Sequence, residues 1–261
     1  MLRRMQPRVN PFEDAIVAYS LRDLGLGATN VIRVRRSSDN AEQDFTETEI
    51  TDGTLTTFCG SGNGYVTIWY NQKDIQHASQ NISTRQPKLV SNGSLVITNN
   101  EPSILFEGGQ LLSASKTINI NELSVYTAAK YNTNDTSYIW NYTSNDLGSN
   151  ADFIANSILS TNVFRTITRN IGGQLYENQQ TANFNQNLFI DEFSNLNLKK
   201  LVNAVETNEI TDVSNLGLET IYIGAGVPDN VYSNSNIQEL VIEENTINND
   251  IVTNINNHYG I

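Results

Sequence analysis

Six charged residues in one short stretch have the types and spacing for paired ion chemistry. Three arginines lie on a candidate strand, and three carboxylates follow in the adjacent polar turn: Arg33, Arg35, Arg36, Asp39, Glu42 and Asp44. A planar guanidinium binds a carboxylate through two parallel hydrogen bonds, so this spacing predicts a charge network that ties down the turn. A ligand site built from the same groups is the alternative interpretation.

The chain offers few residues for thiol or metal chemistry. It has one cysteine, Cys59, and two histidines, His77 and His258. One cysteine excludes an intrachain disulfide, and this set matches no zinc motif. Cys59 is therefore predicted to be a small core residue, and neither a metal nor another cofactor is expected.

The start of the chain is basic, whereas the whole chain is acidic. Arg3, Arg4 and Arg8 precede the first acidic residue, Glu13, although the formal net charge is -12. We predict an anchoring arm over 1–14, with the three arginines as its contacts, and one domain over 15–261. The acidic body argues against a nucleic-acid partner. The chain has no run of eighteen apolar residues, so we expect no membrane insertion.

Short apolar runs separated by Gly, Asn, Asp and Ser dominate the chain, a pattern typical of a β-sandwich or barrel. We predict twelve such strands, among them 65–70, in which Val66 and Ile68 are expected to share one face and Thr67 and Trp69 the other. Helical periodicity is found only at 54–59 and at the end of the chain. There Ile247, Ile251 and Ile255 form an apolar stripe, with Thr246 as its expected cap.

Several ordered segments carry a resemblance to a known family. They are AlaTyrSerLeuArg at 18–22, the arginine strand and turn at 31–45, GlySerGlyAsnGlyTyrValThrIleTrpTyr at 60–70, and ArgGlnProLys at 85–88. This series resembles the β-sandwich module of tailed-bacteriophage structural proteins. It is also similar to the catalytic domain of fungal α-L-arabinofuranosidase B, which carries a separate arabinose-binding domain. The resemblance is strong over about 15–90 and weaker beyond.

The resemblance implies an all-β, concanavalin A-like jelly-roll sandwich with a short N-terminal arm and a short C-terminal helix. It implies a non-enzymatic virion component, either capsid decoration, head fibre or tail appendage, located on the capsid or tail surface. Its partners would be other virion proteins bound through the arm, a further copy of the chain, and a host or environmental glycan. At 69–78 the family Asp is replaced by Asn71, which weakens any ligand role there and leaves His77 a structural residue.

Two aromatic residues are candidate glycan contacts, because such sandwiches stack sugars on aromatic rings. They are Trp140 and Tyr176, and core packing is the alternative for both. A glycoside hydrolase acting on arabinose-containing or host-surface polysaccharide is the alternative function. Its acidic candidates are Glu107, Asp191, Glu192 and Glu239. None of them lies in a recognisable copy of the family's catalytic segments, so we predict no catalytic residue.

Overall fold

In the computed structural model, residues 9–119, 122–144, 152–169, 175–194, 197–206, 210, 217–226 and 231–261 are described. Within them the chain is an antiparallel β-sandwich, which confirms the predicted all-β fold class. The strands form two series of hydrogen-bonded neighbours, joined where β6 pairs with β10. The two series face each other across one large apolar core.

The first sheet is centred on β23, which pairs with β12 along one edge and with β1 and β10 along the other. Beyond β12 the order continues through β17 and β18 to β19. Its strands are β1 (Ala15–Ser20), β10 (Ile104–Glu107), β12 (Glu122–Tyr131), β17 (Asn187–Ser194), β18 (Asn197–Val202), β19 (Val205–Glu206) and β23 (Asn234–Glu243).

The second sheet runs in the order β3, β2, β4, β5, β11, β20, β13, β14, β15 and β16, with β6 and β7 beside β4. Its strands are β2 (Ile32–Arg36), β3 (Glu42–Phe45), β4 (Gly64–Trp69), β5 (Ala78–Ser79), β6 (Lys88–Ser91), β7 (Ser94–Leu95), β11 (Leu112–Asn119), β13 (Ser137–Thr143), β14 (Phe153–Leu159), β15 (Val163–Arg169), β16 (Leu175–Thr181) and β20 (Gly217–Ile223). Two small hairpins lie outside it, β8 (Ile97–Thr98) with β9 (Glu101–Pro102) and β21 (Ala225–Gly226) with β22 (Val231–Tyr232).

Helices are few in the described chain: α1 (Glu47–Thr51), α2 (Thr54–Cys59) and α3 (Asn249–Tyr259), besides a 3-10 turn at Ser83–Arg85. The sequence predicted α2 and α3 and missed α1, which a capping box between Thr46 and Glu49 begins. The cap of α3 is Asn248 rather than Thr246, because its side chain accepts from the backbone N–H of Asp250. None of these helices is long and apolar enough to cross a bilayer.

The outer face of the first sheet is covered by α3 and by the residues that precede β1. Ile251, Ile255 and Tyr259 pack there with Phe12, which is 2% exposed. Residues 9–14 therefore lie on the sandwich, although they fall within the predicted arm. The arginines predicted to anchor that arm, Arg3, Arg4 and Arg8, lie outside the described residues.

The predicted alternation in β4 is wrong. Val66 and Trp69 are both fully buried, whereas Ile68 is half-buried. The ladder between β2 and β4 changes register between Arg33 and Val34, so Thr67 is an extra residue opposite them. A bulge of this kind turns the residues after it to the other face of the sheet.

Candidate functional site

The arginines near the start of the second sheet pair in three separate ways. Arg33 donates from Nε and Nη2 to the two carboxylate oxygens of Asp44, at 2.6 and 2.9 Å. Tyr70 donates to the same carboxylate at 2.7 Å. The hydrogen bonds from Arg33 lower the pKa of Asp44, and the one from Tyr70 acts in the same direction. This pair joins β2 to β3, since Arg33 and Asp44 are opposite each other in the ladder.

The remaining arginines of that strand have other partners. Arg36 forms a two-bond pair with Asp39 in the turn, at 2.8 and 2.7 Å. Arg35 donates instead to neutral amide oxygens, at 2.8 Å to Gln86 and 2.6 Å to Asn40. These contacts are internal to the fold and hold one turn and one neighbouring loop in place.

The two aromatic candidates for glycan contact lie on the inner face of the second sheet. Trp140 on β13 is fully buried in the main core, so its ring cannot stack on a sugar, and that prediction is wrong. Tyr176 on β16 is half-buried and packs against the same core. Adjacent residues of a strand point to opposite faces, so the outer face beside Tyr176 presents Glu177 instead.

The loop at 69–78 contributes hydrogen bonds to the scaffold. Gln72 accepts from the backbone N–H of Leu24 at 2.9 Å and donates to the carbonyl of Arg22 at 2.7 Å. His77 accepts at Nδ1 from the N–H of Asn71 at 3.1 Å, and burial lowers its pKa. A neutral imidazole held in this way orders its own loop. The described residues hold no group of three or more metal-ligating side chains.

Among the acidic candidates, Asp191 and Glu239 are fully buried and ion-paired. Asp191 accepts from Lys200 at 2.9 Å between the two sheets. Glu239 accepts two bonds from Arg22, at 2.8 and 3.0 Å, and one from Ser20 at 2.8 Å. A reacting sugar needs direct contact with its acid and nucleophile, and neither carboxylate reaches the surface.

The other two acidic candidates are accessible. Glu107 pairs with Lys88 at 2.7 Å. Glu192 accepts from Ser194 at 2.9 Å and from the N–H of Ile247 at 3.2 Å, which positions the segment before α3.

A polar cluster on the outer face of the second sheet is the best candidate site. Arg165 on β15 is its centre and donates to three strands: to Ser157 on β14 at 2.9 Å, to Glu177 on β16 at 2.8 Å, and to Tyr138 on β13 at 3.3 Å. Gln179 donates to the other oxygen of Glu177 at 2.8 Å. We call Tyr138, Ser157, Arg165 and Glu177 the outer-face site.

The strand ladders bring these side chains together. Ser157 lies opposite Tyr138 on one side and opposite Arg165 on the other. Glu177 is two residues from the position opposite Arg165, a diagonal that a long guanidinium spans. The side chain of Glu177 is 26% exposed and that of Arg165 is 11% exposed. A carboxylate accepts about four hydrogen bonds, so Glu177 keeps acceptor capacity toward solvent.

The hairpin of β21 and β22 closes one side of this site. Val231 packs with Tyr138, Phe153, Ala155 and Ile167 in a small apolar cluster on the outer face. Gly226 lies so close to the ring of Tyr138 that a Cβ there would be 2.4 Å from Cδ2. Glycine at 226 therefore lets the backbone lie directly on the tyrosine, which fixes the phenol toward Arg165.

Sequence reasoning missed the outer-face site. Arg165, Glu177 and Tyr138 are distant in sequence and match no motif. The sequence signal for this site is the alternation of side chains along β15. Arg165, Ile167 and Arg169 occupy one face, and Phe164, Thr166 and Thr168 occupy the other. That pattern marks a two-faced strand but leaves open which neighbour each arginine meets.

No protein-family model matches the chain, and no curated protein sequence matches it. Solved structures do match. A GH54 α-L-arabinofuranosidase soaked with a cyclic sulfate inhibitor has a TM-score of 0.68 at 13% identity, covering 96% of this chain and 65% of its own. An arabinofuranosidase complexed with arabinofuranosyl-α-1,2-xylobiose has a TM-score of 0.68 at 12% identity, with 96% and 64% covered. This chain thus spans about two thirds of their length.

These matches correct the expectation that the chain is not an enzyme. That expectation relied on a sequence resemblance to the arabinofuranosidase domain that fades after residue 90, yet the structural match extends over 96% of the chain. The structural match therefore includes the residues after 90, where the sequence shows no recognisable catalytic segment. At 13% identity the likeness establishes the fold alone, and the chain has the β-sandwich of the GH54 arabinofuranosidases.

Proposed function

We propose that this chain is a glycan-binding β-sandwich of a bacteriophage virion, and that the outer-face site holds the sugar. The observation that carries the proposal is the arrangement of Arg165 and Glu177 on an accessible sheet face. Their ion pair presents donors and acceptors side by side, as vicinal sugar hydroxyls require. The fold shared with arabinofuranosidases supports a carbohydrate as the ligand class.

The outer-face site suits a neutral sugar better than a free anion. The guanidinium of Arg165 already donates to three protein acceptors, whereas the carboxylate of Glu177 retains capacity to accept from hydroxyl groups. Tyr138 is 4% exposed, so its ring offers little surface for stacking, and its hydroxyl helps to position Arg165. Recognition would therefore be dominated by hydrogen bonds to hydroxyl groups.

A glycan array with the purified chain tests the binding. We expect selective signals, reduced about tenfold or more in affinity by Glu177→Gln, which removes the charge and half of the acceptor capacity. Glu206→Gln is the matched control, because Glu206 also pairs with a cation but lies on β19 of the other sheet. An array without signal, or equal loss in both variants, would reject the outer-face site as the binding site.

Hydrolysis of arabinose-containing polysaccharide is a second candidate, favoured by the arabinofuranosidase fold and by the accessible Glu177. A retaining glycosidase needs two carboxyl groups about 5 to 5.5 Å apart, one as nucleophile and one as acid. Release of arabinose from a chromogenic aryl arabinofuranoside, abolished by Glu177→Gln and kept by Glu206→Gln, would establish it. Binding on the array without release would leave a binding module.

The virion assignment rests on the resemblance of 15–90 to phage modules and on the basic start of the chain. The anchoring role predicts that replacing Arg3, Arg4 and Arg8 with glutamate abolishes incorporation into particles. This change is preferable to deleting the whole arm, because Phe12 is buried and its loss would damage the sandwich. Unchanged incorporation of a folded variant would refute the role.

A further inference from the structure

A second polar cluster lies between the two sheets, sealed from solvent. Its members are Asn156 on β14, Thr166 on β15, Asp191 on β17 and Lys200 on β18, and all four are fully buried. One oxygen of Asp191 accepts from Lys200 Nζ at 2.9 Å and also from Thr166, while the other accepts from Asn156 Nδ2 at 2.8 Å. One carboxylate thus bridges an amine and a primary amide.

The surroundings of the amine are aromatic. Lys200 Nζ lies 5.1 Å from the ring centroid of Phe189, and Phe189 packs edge-on against Phe164 at 5.0 Å. Tyr131 stacks on Phe164 at 5.5 Å. Burial lowers the pKa of Lys200, with Asp191 opposing that shift. A dry environment favours the neutral form of the amine.

The amide of Asn156 is held by hydrogen bonds at both its oxygen and its nitrogen. Tyr131 donates its hydroxyl to the carbonyl oxygen Oδ1 of Asn156 at 3.1 Å, so charge that develops on that oxygen would be stabilised by a fixed donor. The amide nitrogen points at the carboxylate of Asp191. The nucleophile, the electrophile, a donor for its oxygen and a proton carrier therefore meet in one place.

We propose that Lys200 and Asn156 form an intramolecular amide bond that links the two sheets covalently. Lys200 first gives a proton to Asp191, and its neutral Nζ attacks Cγ of Asn156, with the oxygen of the tetrahedral intermediate held by Tyr131. Asp191 passes a proton to the amide nitrogen, takes one from Nζ, and the C–N bond breaks to release ammonia. The products are a secondary amide, ammonia and protonated Asp191.

The reaction removes both buried charges, since the amide and the protonated Asp191 are neutral. It needs neither an oxidant nor a cofactor. It would also restrict the unfolded chain by closing the segment from β14 to β18, as a disulfide does. The chain has a single cysteine and forms no intrachain disulfide, so this bond would be its covalent link between sheets.

The intact mass of the purified full-length chain tests the proposal. We expect a mass lower by one ammonia than the sequence requires, and a proteolytic peptide in which Lys200 and Asn156 are joined. A full sequence mass without such a peptide would overturn the proposal. A mass lower by one water, mapped to Lys200 and Asp191, would overturn Asn156 as the partner.

Variants identify the groups that act. Asp191→Asn keeps the size of the side chain but cannot carry the proton, so we expect the folded variant to have its full sequence mass. Lys199→Met is the matched control, because Lys199 neighbours Lys200 on β18 but pairs with Glu206 at the surface. It should keep the ammonia loss. Ammonia loss that persists in Lys200→Met would refute the proposal, whether or not that variant folds.

Discussion

Two consecutive residues of β15 belong to different cation–carboxylate clusters. One cluster is sealed from water and the other is exposed to it. Thr166 points inward and contacts Asp191, whose partner Lys200 is fully buried. Arg165 points outward and pairs with Glu177, whose side chain is 26% exposed. The two ion pairs have nearly equal lengths, 2.9 and 2.8 Å.

The contrast shows that distance alone says little about what an ion pair does. Before the proposed amide bond forms, each charge of the inner pair depends on the other, because water cannot replace a lost partner. In the outer pair, water and ligands compete for the same groups. The pair therefore contributes little to the stability of the protein, but its groups can bind a ligand. The inner cluster suits structure and slow internal chemistry, and the outer cluster suits recognition.

The largest expected effect comes from breaking the inner pair. Asp191→Ala leaves the Lys200 ammonium buried without its carboxylate, which costs about 3 to 5 kcal/mol in the free energy of unfolding, and it also removes the proposed covalent link. Urea denaturation measures it. The double variant Asp191→Ala with Lys200→Met removes the orphaned charge and should recover the part of the loss that the charge causes, but not the part that comes from the missing link. Both variants lack any covalent link, so their difference isolates the buried charge.

An intermediate effect is expected where the outer-face site contacts the hairpin. Gly226→Ala places a Cβ against the ring of Tyr138, and overpacking of this kind costs about 1 to 3 kcal/mol. Because the hairpin or the ring must move, glycan binding should weaken as well. Gly217→Ala is the control, since a Cβ there meets nothing within 4 Å. Equal melting temperatures for the two variants would argue against the close packing.

The smallest effect is expected from breaking the outer pair. Glu177→Ala should change the free energy of unfolding by about 0 to 1 kcal/mol, because solvent screens the pair and can solvate Arg165. Thermal unfolding followed by circular dichroism measures it beside Asp191→Ala. A loss as large as that of Asp191→Ala would remove the distinction between the two clusters.

Much of the fold could be predicted from local pattern. The strand-length apolar runs gave the all-β class, and the stripe of Ile251 and Ile255 gave α3. The pair of Arg33 and Asp44 followed from two adjacent strands joined by a short turn. These features depend on residues close in sequence, whose geometry the backbone largely determines.

The candidate site could not be predicted in the same way. The sequence drew attention to Trp140, which the second sheet places in the core, and gave no reason to single out Glu177. Alternation assigns side chains to two faces, but the order of strands decides which face is buried and which residues meet across it.

The sequence by itself therefore determined the class of fold, the basic start, the terminal helix and the absence of an intrachain disulfide. Only the tertiary structure decided that Arg165 meets Glu177 outside the sheet and that Lys200, Asp191 and Asn156 meet inside it. The physical reason is the distance along the sequence over which each effect acts. Hydrogen bonding and periodicity act between near neighbours, whereas burial is a property of the assembled sheets and sets what each charged group can do.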